Sequence, residues 1–181
     1  ERFAKSLTEL DMDGVELIPQ TMAPFPWHFG GQRFQNIFVR IEEIVEKSKA
    51  EVEKMIKEAG DAALYEVGIF DVDPRLTMLL GRLKFRTSFG QNVLQHSIEM
   101  THLAGMLASE LGADVAIAKK GALFHDIGKA VDHEIQGTHV EIGRRILQKF
   151  NVDNRVVQAM QSHHEEYPYE TLESVIVQTV D

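Results

Sequence analysis

From Val39 onward, apolar residues return at three- and four-residue spacing, the period of helices that bury one face. The first such stripe falls between Ile37 and Ala59. It comprises Ile41, Ile44, Val45, Ser48, Val52, Met55 and Ile56, has Glu and Lys on the opposite face, and takes Gly60 as its stop. Glu42 and Glu46, and Glu43 and Lys47, are surface neighbours on it, so an exposed or partner-binding helix is expected. "DPRLTMLLGRLKFRTS" opens with Asp73 as N-cap and Pro74 in the first turn. "QNVLQHSIEMTHLAGMLASELG" places Leu94, Ile98, Leu103, Met106, Leu107 and Leu111 inward and ends at Gly112. "DVAIAKKGALFHDIG" is capped by Asp114 and ends near Gly128, and "THVEIGRRILQKF" carries the capping-box pattern Thr138-x-x-Glu141. "DNRVVQAMQSHHE" starts from Asp153. The last run, "ETLESVIVQTVD", turns Leu172, Val175, Ile176, Thr179 and Val180 inward.

Residues 1–38 have a different texture. Pro19, Pro24, Pro26, Trp27 and the Gly30-Gly31 pair fall here; "GVELIPQ" reads as a short strand and "APFPWHFGG" as loop. The expected fold class is all-α: a bundle of about seven helices behind a short irregular or weakly β N-terminal segment. The expected division is residues 1–38, a linker helix over 39–60, and a helical domain over 61–181.

Composition narrows the chemistry. The 181 residues include no cysteine, which removes disulfides, thiolate zinc sites and cysteine nucleophiles and leans towards a reducing compartment. Net charge is −9, against bulk attraction to nucleic acid. Arg82, Lys84 and Arg86, Lys119-Lys120 and Arg144-Arg145 are either a local basic groove or solvated charges, and the second reading is preferred for each group alone. No apolar run is long enough to span a bilayer, and "ERFAKSLTEL" lacks a signal-peptide pattern. Both ends read as boundaries of a segment rather than as natural termini.

The polar residues near the apolar faces carry the chemistry. His96 sits on the inward side of its helix, His125-Asp126 follow the run Ala122-Leu123-Phe124, His139 opens the next helix, His163-His164 end another, and Asp181 follows "VIVQTV". Each alone reads as a hydrogen-bonded core residue or a cap. Buried polar groups cost several kcal/mol unless paired or metal-bound, and here they recur at helix ends that a bundle would bring together. Imidazole plus carboxylate suits Mn, Fe, Co, Ni or Zn, with Mg less natural as histidines accumulate.

The ordered set His96, His125-Asp126, Asp181 resembles the HD-domain superfamily of metal-dependent phosphohydrolases. "GRLKFRTSFGQNVLQHSIEMTHLAGMLASELG", "HDIGKAVDHEIQGTHVEIG" and "SHHE" are similar to the HD domain of the bacterial ribonuclease Y family, endoribonucleases that initiate mRNA decay. The resemblance covers residues 75–181 and extends back to the helix at Arg40. It implies that His96, His125, Asp126 and Asp181 bind a divalent metal ion, with His139 and His163 as ligands of a second. It also implies that Lys129 lies near the scissile phosphate, and that Asp126 bridges metals or orients water. His164 and Glu165 stay open between ligand and surface residue, while Asp132, His133 and Glu134 are expected at the surface.

The implied substrate is single-stranded RNA, cut at internal phosphodiesters. The implied assembly is a homodimer, with RNA-degradation partners and a parent protein anchored on the cytoplasmic side of the cell membrane. The chain departs from that family in lacking its membrane helix and coiled coil, and residues 1–38 show no G-x-x-G loop of a KH domain. Two other readings compete: an HD phosphohydrolase acting on nucleotides or cyclic dinucleotides, and a non-catalytic dimerisation or interaction module.

Overall fold

The structure, a computed structural model, describes the backbone of residues 31–181 and the side chains of residues 40–181. The strand and loop expected upstream of Gly31 lie outside the described residues. Seven α-helices are described: α1 (Gly31–Val67), α2 (Pro74–Arg82), α3 (Val93–Leu111), α4 (Val115–Phe124), α5 (His139–Lys149), α6 (Asn154–Gln161) and α7 (Leu172–Val180). Two 3-10 turns, Leu83–Phe85 and Ile127–Ala130, and one two-stranded hairpin, β1 (Thr87–Ser88) with β2 (Gln91–Asn92), complete the described part. The all-α class is as expected from the sequence. By contacts the chain divides into Glu1–Ile44 and Val45–Asp181, and everything below concerns the second unit unless stated.

Local signals place most helix ends where the sequence put them. The carboxylates of Asp73, Asp114 and Asp153 accept backbone N–H bonds at the starts of α2, α4 and α6, and Gly112 closes α3 at φ 71°. Thr138 caps α5 by accepting from Glu141 N, but Glu141 turns to Arg145 rather than back to the cap. The reciprocal box forms instead at Thr171 and Ser174, at the head of α7.

Three expectations need correction. Helix α1 begins at Gly31, upstream of Ile37, and runs through Gly60 to Val67. Gly60 is a crossing point instead: a Cβ there would lie 2.2 Å from the Thr77 carbonyl oxygen, and one at Gly81 would lie 1.9 Å from that of Ile56. Two glycines facing opposite backbones let α1 and α2 meet without side chains between them. Second, Leu103, Met106 and Leu111 of α3 and Leu172, Val175 and Thr179 of α7 are exposed. The buried face of α3 is Val93, Leu94, Ser97, Ile98, Met100, Thr101, Ala104 and Ala108, in which the small Ser97, Ala104 and Ala108 admit α4 closely. Third, the stretch read as helical up to Gly128 leaves the α-helix at His125, so the His-Asp pair lies in a turn.

Helix α4 sits at the centre, packed against α3, α6 and α7, with Ile117, Ala118, Gly121, Ala122, Leu123 and Phe124 buried. Its C-terminal end therefore opens inside the bundle. On α1, Ile41 and Ile44 of the first unit and Val45, Val52 and Met55 of the second remain 44 to 58% exposed. No helix among the described residues is long and apolar enough to cross a membrane.

Candidate metal centre

The end of α4 delivers His125, 1% exposed, and Asp126, 2% exposed, into the core of the bundle. His125 keeps helical dihedrals, whereas Asp126 at φ −100°, ψ 11° begins the 3-10 turn. That break aims two consecutive side chains at one place, where a continuous helix would splay them about 100° apart. The next residues, Ile127-Gly128, then press against the head of α5: a Cβ on Gly128 would lie 1.9 Å from the His139 carbonyl oxygen. This contact brings His139 to the His-Asp pair.

His96 Nε2 lies 3.1 Å from Asp181 Oδ1, and His125 Nε2 lies 3.7 Å from the same oxygen. His125 Nε2 is also 3.2 Å from Asp126 Oδ2, without the alignment of a hydrogen bond. On the other side, His139 Nε2 stands 3.5 Å from Asp126 Oδ1. The rings of His139, His163 and His164 cluster, with centroids 4.4 to 5.5 Å apart. Two sets of three therefore have ligand atoms within 4.8 Å of one another: His96, His125 and Asp181, and His139, His163 and His164. Asp126 lies between them, one oxygen toward each. His164, left open by the sequence, joins the second set. Glu165 does not; it adopts φ +60° and accepts a hydrogen bond from Tyr169.

The imidazoles are presented as acceptors. His125 Nδ1–H donates to the Ala122 carbonyl at 2.8 Å and His163 Nδ1–H to that of Met160 at 2.5 Å, which turns each Nε2 lone pair inward. Burial pushes His139 down, against the pull of Asp126. Burial, then the neighbouring His125, pushes His163 down to about 3. Both are thus neutral, the form that binds a metal. Burial also opposes the charge on Asp126, but His125 and Lys129 outweigh it and hold the carboxyl well below its usual range. Burial works against protonation of His125 too, yet Asp126, Ala122 and Asp181 together raise its pKa.

Four buried atoms in this cluster have no hydrogen-bond partner: His125 Nε2, Asp126 Oδ1, His139 Nε2 and His163 Nε2. Each such group costs about 1–3 kcal/mol when left unsatisfied. Four orphaned acceptors converging from three chain segments fit a divalent cation, which is a common partner for nitrogen and carboxylate oxygen together.

Lys129 sits one turn past Asp126, its Nζ 2.7 Å from Asp126 Oδ2 and 3.4 Å from Ser88 Oγ. Beside the cluster opens a cleft of about 330 Å³ whose wall includes Phe89, His96, Asp126, Lys129, His164 and Asp181. The other basic residues singled out from the sequence are largely paired. Arg82 meets Glu134 and Arg86 meets Asp132, both at 2.5 Å, Lys120 meets Asp71 at 2.7 Å, and Arg145 meets Glu141. His133 and Glu134 are exposed as expected, whereas Asp132 is half-buried against Arg86.

Residues 93–181 match the HD domain family model. The chain is 54% identical over 142 residues to a protein of Alkaliphilus metalliredigens named ribonuclease Y, covering 78% of this chain and 30% of that one. It is 55% identical to ribonuclease Y of Thermoanaerobacter pseudethanolicus and 49% identical to that of Staphylococcus epidermidis, covering 78% of this chain and 28% and 27% of theirs. The chain thus spans less than a third of the length of these curated relatives. No solved structure gives a significant match. His96 on α3, His125 and Asp126 after α4, His139 on α5, His163 and His164 after α6 and Asp181 after α7 all fall where that family model aligns, so residues 93–181 belong to the HD-domain family.

Proposed function

We propose that this HD domain is the catalytic part of a metal-dependent endoribonuclease that hydrolyses internal phosphodiester bonds of single-stranded RNA. The observation that carries the reading is the convergence of four unpartnered buried atoms, His125 Nε2, Asp126 Oδ1, His139 Nε2 and His163 Nε2. The name ribonuclease Y borne by the relatives supplies the substrate class.

His96, His125, Asp126 and Asp181 would hold one divalent ion, and His139, His163 and His164, with the second oxygen of Asp126, another. Bound there, such ions supply Lewis acidity toward a phosphoryl oxygen and acidify water. The chain's own residues do the rest. Asp126, kept anionic by Lys129 and His125, faces both sets and orients the incoming water. Lys129, at the wall of the cleft, can leave Asp126 for the negative charge gathering on the phosphoryl oxygens. Ala122 and Met160 fix the imidazoles through their carbonyls.

The exposed stripe of α1 favours a homodimer. Val45, Ser48, Val52 and Met55 alternate at three- and four-residue spacing, as in a two-stranded coiled coil.

His125→Ala and Asp126→Ala are expected to abolish Mn²⁺-supported cleavage of a single-stranded RNA oligomer while keeping the helical circular dichroism. Cleavage by either purified variant at the wild-type rate would sink the assignment. The same preparations, assayed on nucleoside monophosphates and cyclic dinucleotides, separate this reading from an HD phosphohydrolase of small nucleotides.

A further inference from the structure

The hairpin between the 3-10 turn Leu83–Phe85 and α3 carries a feature that the fold itself does not use. Its two-residue turn is Phe89-Gly90, with φ +49° and +84°. A turn with left-handed φ at both positions selects Asn, Asp or Gly first, and a bulky aromatic there is strained. Phe89 is nevertheless fully exposed and belongs to no apolar cluster or aromatic pair among the described residues. Its ring lines the cleft that also contains Asp126 and Lys129.

The tip is held firmly against the centre. Ser88 Oγ lies 3.4 Å from Lys129 Nζ, and Arg86 is tied to Asp132 at 2.5 Å. Asn92 donates to the Lys84 carbonyl at 2.6 Å and also caps α3, the helix that carries His96. The hairpin is therefore a fixed projection, registered to Lys129 on one side and His96 on the other.

Resting on the ribonuclease reading above, we propose that Phe89 stacks on a nucleobase of the RNA strand next to the phosphodiester being cut. Net charge is −9, and Arg82, Arg86, Lys120 and Arg145 are engaged with carboxylates, so counterion release offers this surface little affinity. Stacking supplies affinity without charge. Every base offers a π-face, so the contact tolerates any sequence, and it requires an unpaired base, so it selects single strands.

The test uses Phe89→Asn, which removes the ring but suits left-handed φ, and Phe89→Trp, which keeps an aromatic face. Binding is measured in EDTA by quenching of a single-stranded RNA hexamer containing 2-aminopurine. Cleavage is measured with Mn²⁺ on an oligomer with one preferred cut, and on the same oligomer made abasic on both sides of that cut. Phe89→Asn is expected to weaken binding, and to lower kcat/KM on the complete oligomer, by about 5- to 150-fold, while Phe89→Trp stays near wild type. On the abasic oligomer, wild type and Phe89→Asn are expected to be equal, a result that a merely structural role for the ring would not give. Wild-type binding by Phe89→Asn, or an equal loss on both oligomers, overturns the stacking contact alone. A wild-type chain that cuts neither oligomer overturns the ribonuclease reading, and this proposal with it, before any variant is made.

Discussion

Replacing Gly128 by alanine joins the fold to the centre in one substitution. The added Cβ would lie 1.9 Å from the His139 carbonyl oxygen, 2.8 Å from its carbon and 3.0 Å from Gly143 N. The first distance is about 1.6 Å inside the ~3.5 Å separation of atoms in van der Waals contact. All three neighbours are backbone, so no rotamer change relieves the overlap, and the 3-10 turn must move away from α5. Overpacking of this kind costs about 1–3 kcal/mol, and an unyielding backbone puts the expected cost at about 3. For a chain of this size that is a fall in Tm of roughly 6–12 °C by calorimetry. The displacement also draws His139 Nε2 away from Asp126 Oδ1, now 3.5 Å apart, so Mn²⁺ binding at the second set should weaken more than at the first. Gly105→Ala is the control, because its Cβ would meet only the flexible Lys119 side chain at 3.1 Å, and helix propensity favours alanine by up to about 1 kcal/mol. If Gly128→Ala melts with the wild type, the close contact between the His-Asp turn and α5 is not what positions His139.

The metal-free protein should lose stability as pH falls from 7 to 5. His163 has a folded pKa of about 3, below its unfolded value, so the unfolded chain takes up the proton first; the loss is about 2 kcal/mol by pH 5. His125, with its pKa raised, gains stability as pH falls towards about 6.5 and so opposes this loss near pH 7. Its contribution is constant well below that value, so the loss assigned to His163 is read between about pH 6 and 5. His163→Gln should flatten urea-derived stability between these pH values, and an unchanged slope would refute the assignment of His163 as neutral when folded. Val45→Lys with Val52→Lys should shift the chain from dimer to monomer in sedimentation velocity; a monomeric wild type, or a dimeric variant, would remove α1 as the interface.

Where the determinants are local, the sequence was enough. The caps at Asp73, Asp114 and Asp153 and the glycine at the end of α3 act within a few residues of themselves. Large apolar residues misled where helices meet closely: α3 turns Ala104 and Ala108 inward and leaves Leu103 and Met106 half exposed, because a tight crossing has no room for leucine. Gly60 read as a stop because its reason, the Thr77 carbonyl, lies on another helix. The hairpin at Thr87–Asn92 was hidden because strands of two residues carry no periodicity. Within the centre, residue chemistry singled out the polar residues at the helix ends, the resemblance to HD domains picked His96, His125, Asp126 and Asp181 from among them, and the bundle places these four side by side. His164 could not be decided that way, since its orientation depends on where α6 ends, at Gln161, and on the turn that follows.

The most direct test of the central claim is metal stoichiometry: the chain is stripped with EDTA, dialysed to equilibrium against Mn²⁺, and its bound metal counted by elemental analysis. Two ions per chain are expected for the wild type, falling to one in His139→Ala and to none in Asp126→Ala. A wild-type chain that retains no metal would leave the four buried unpartnered atoms without the partner assigned to them and would contradict the account.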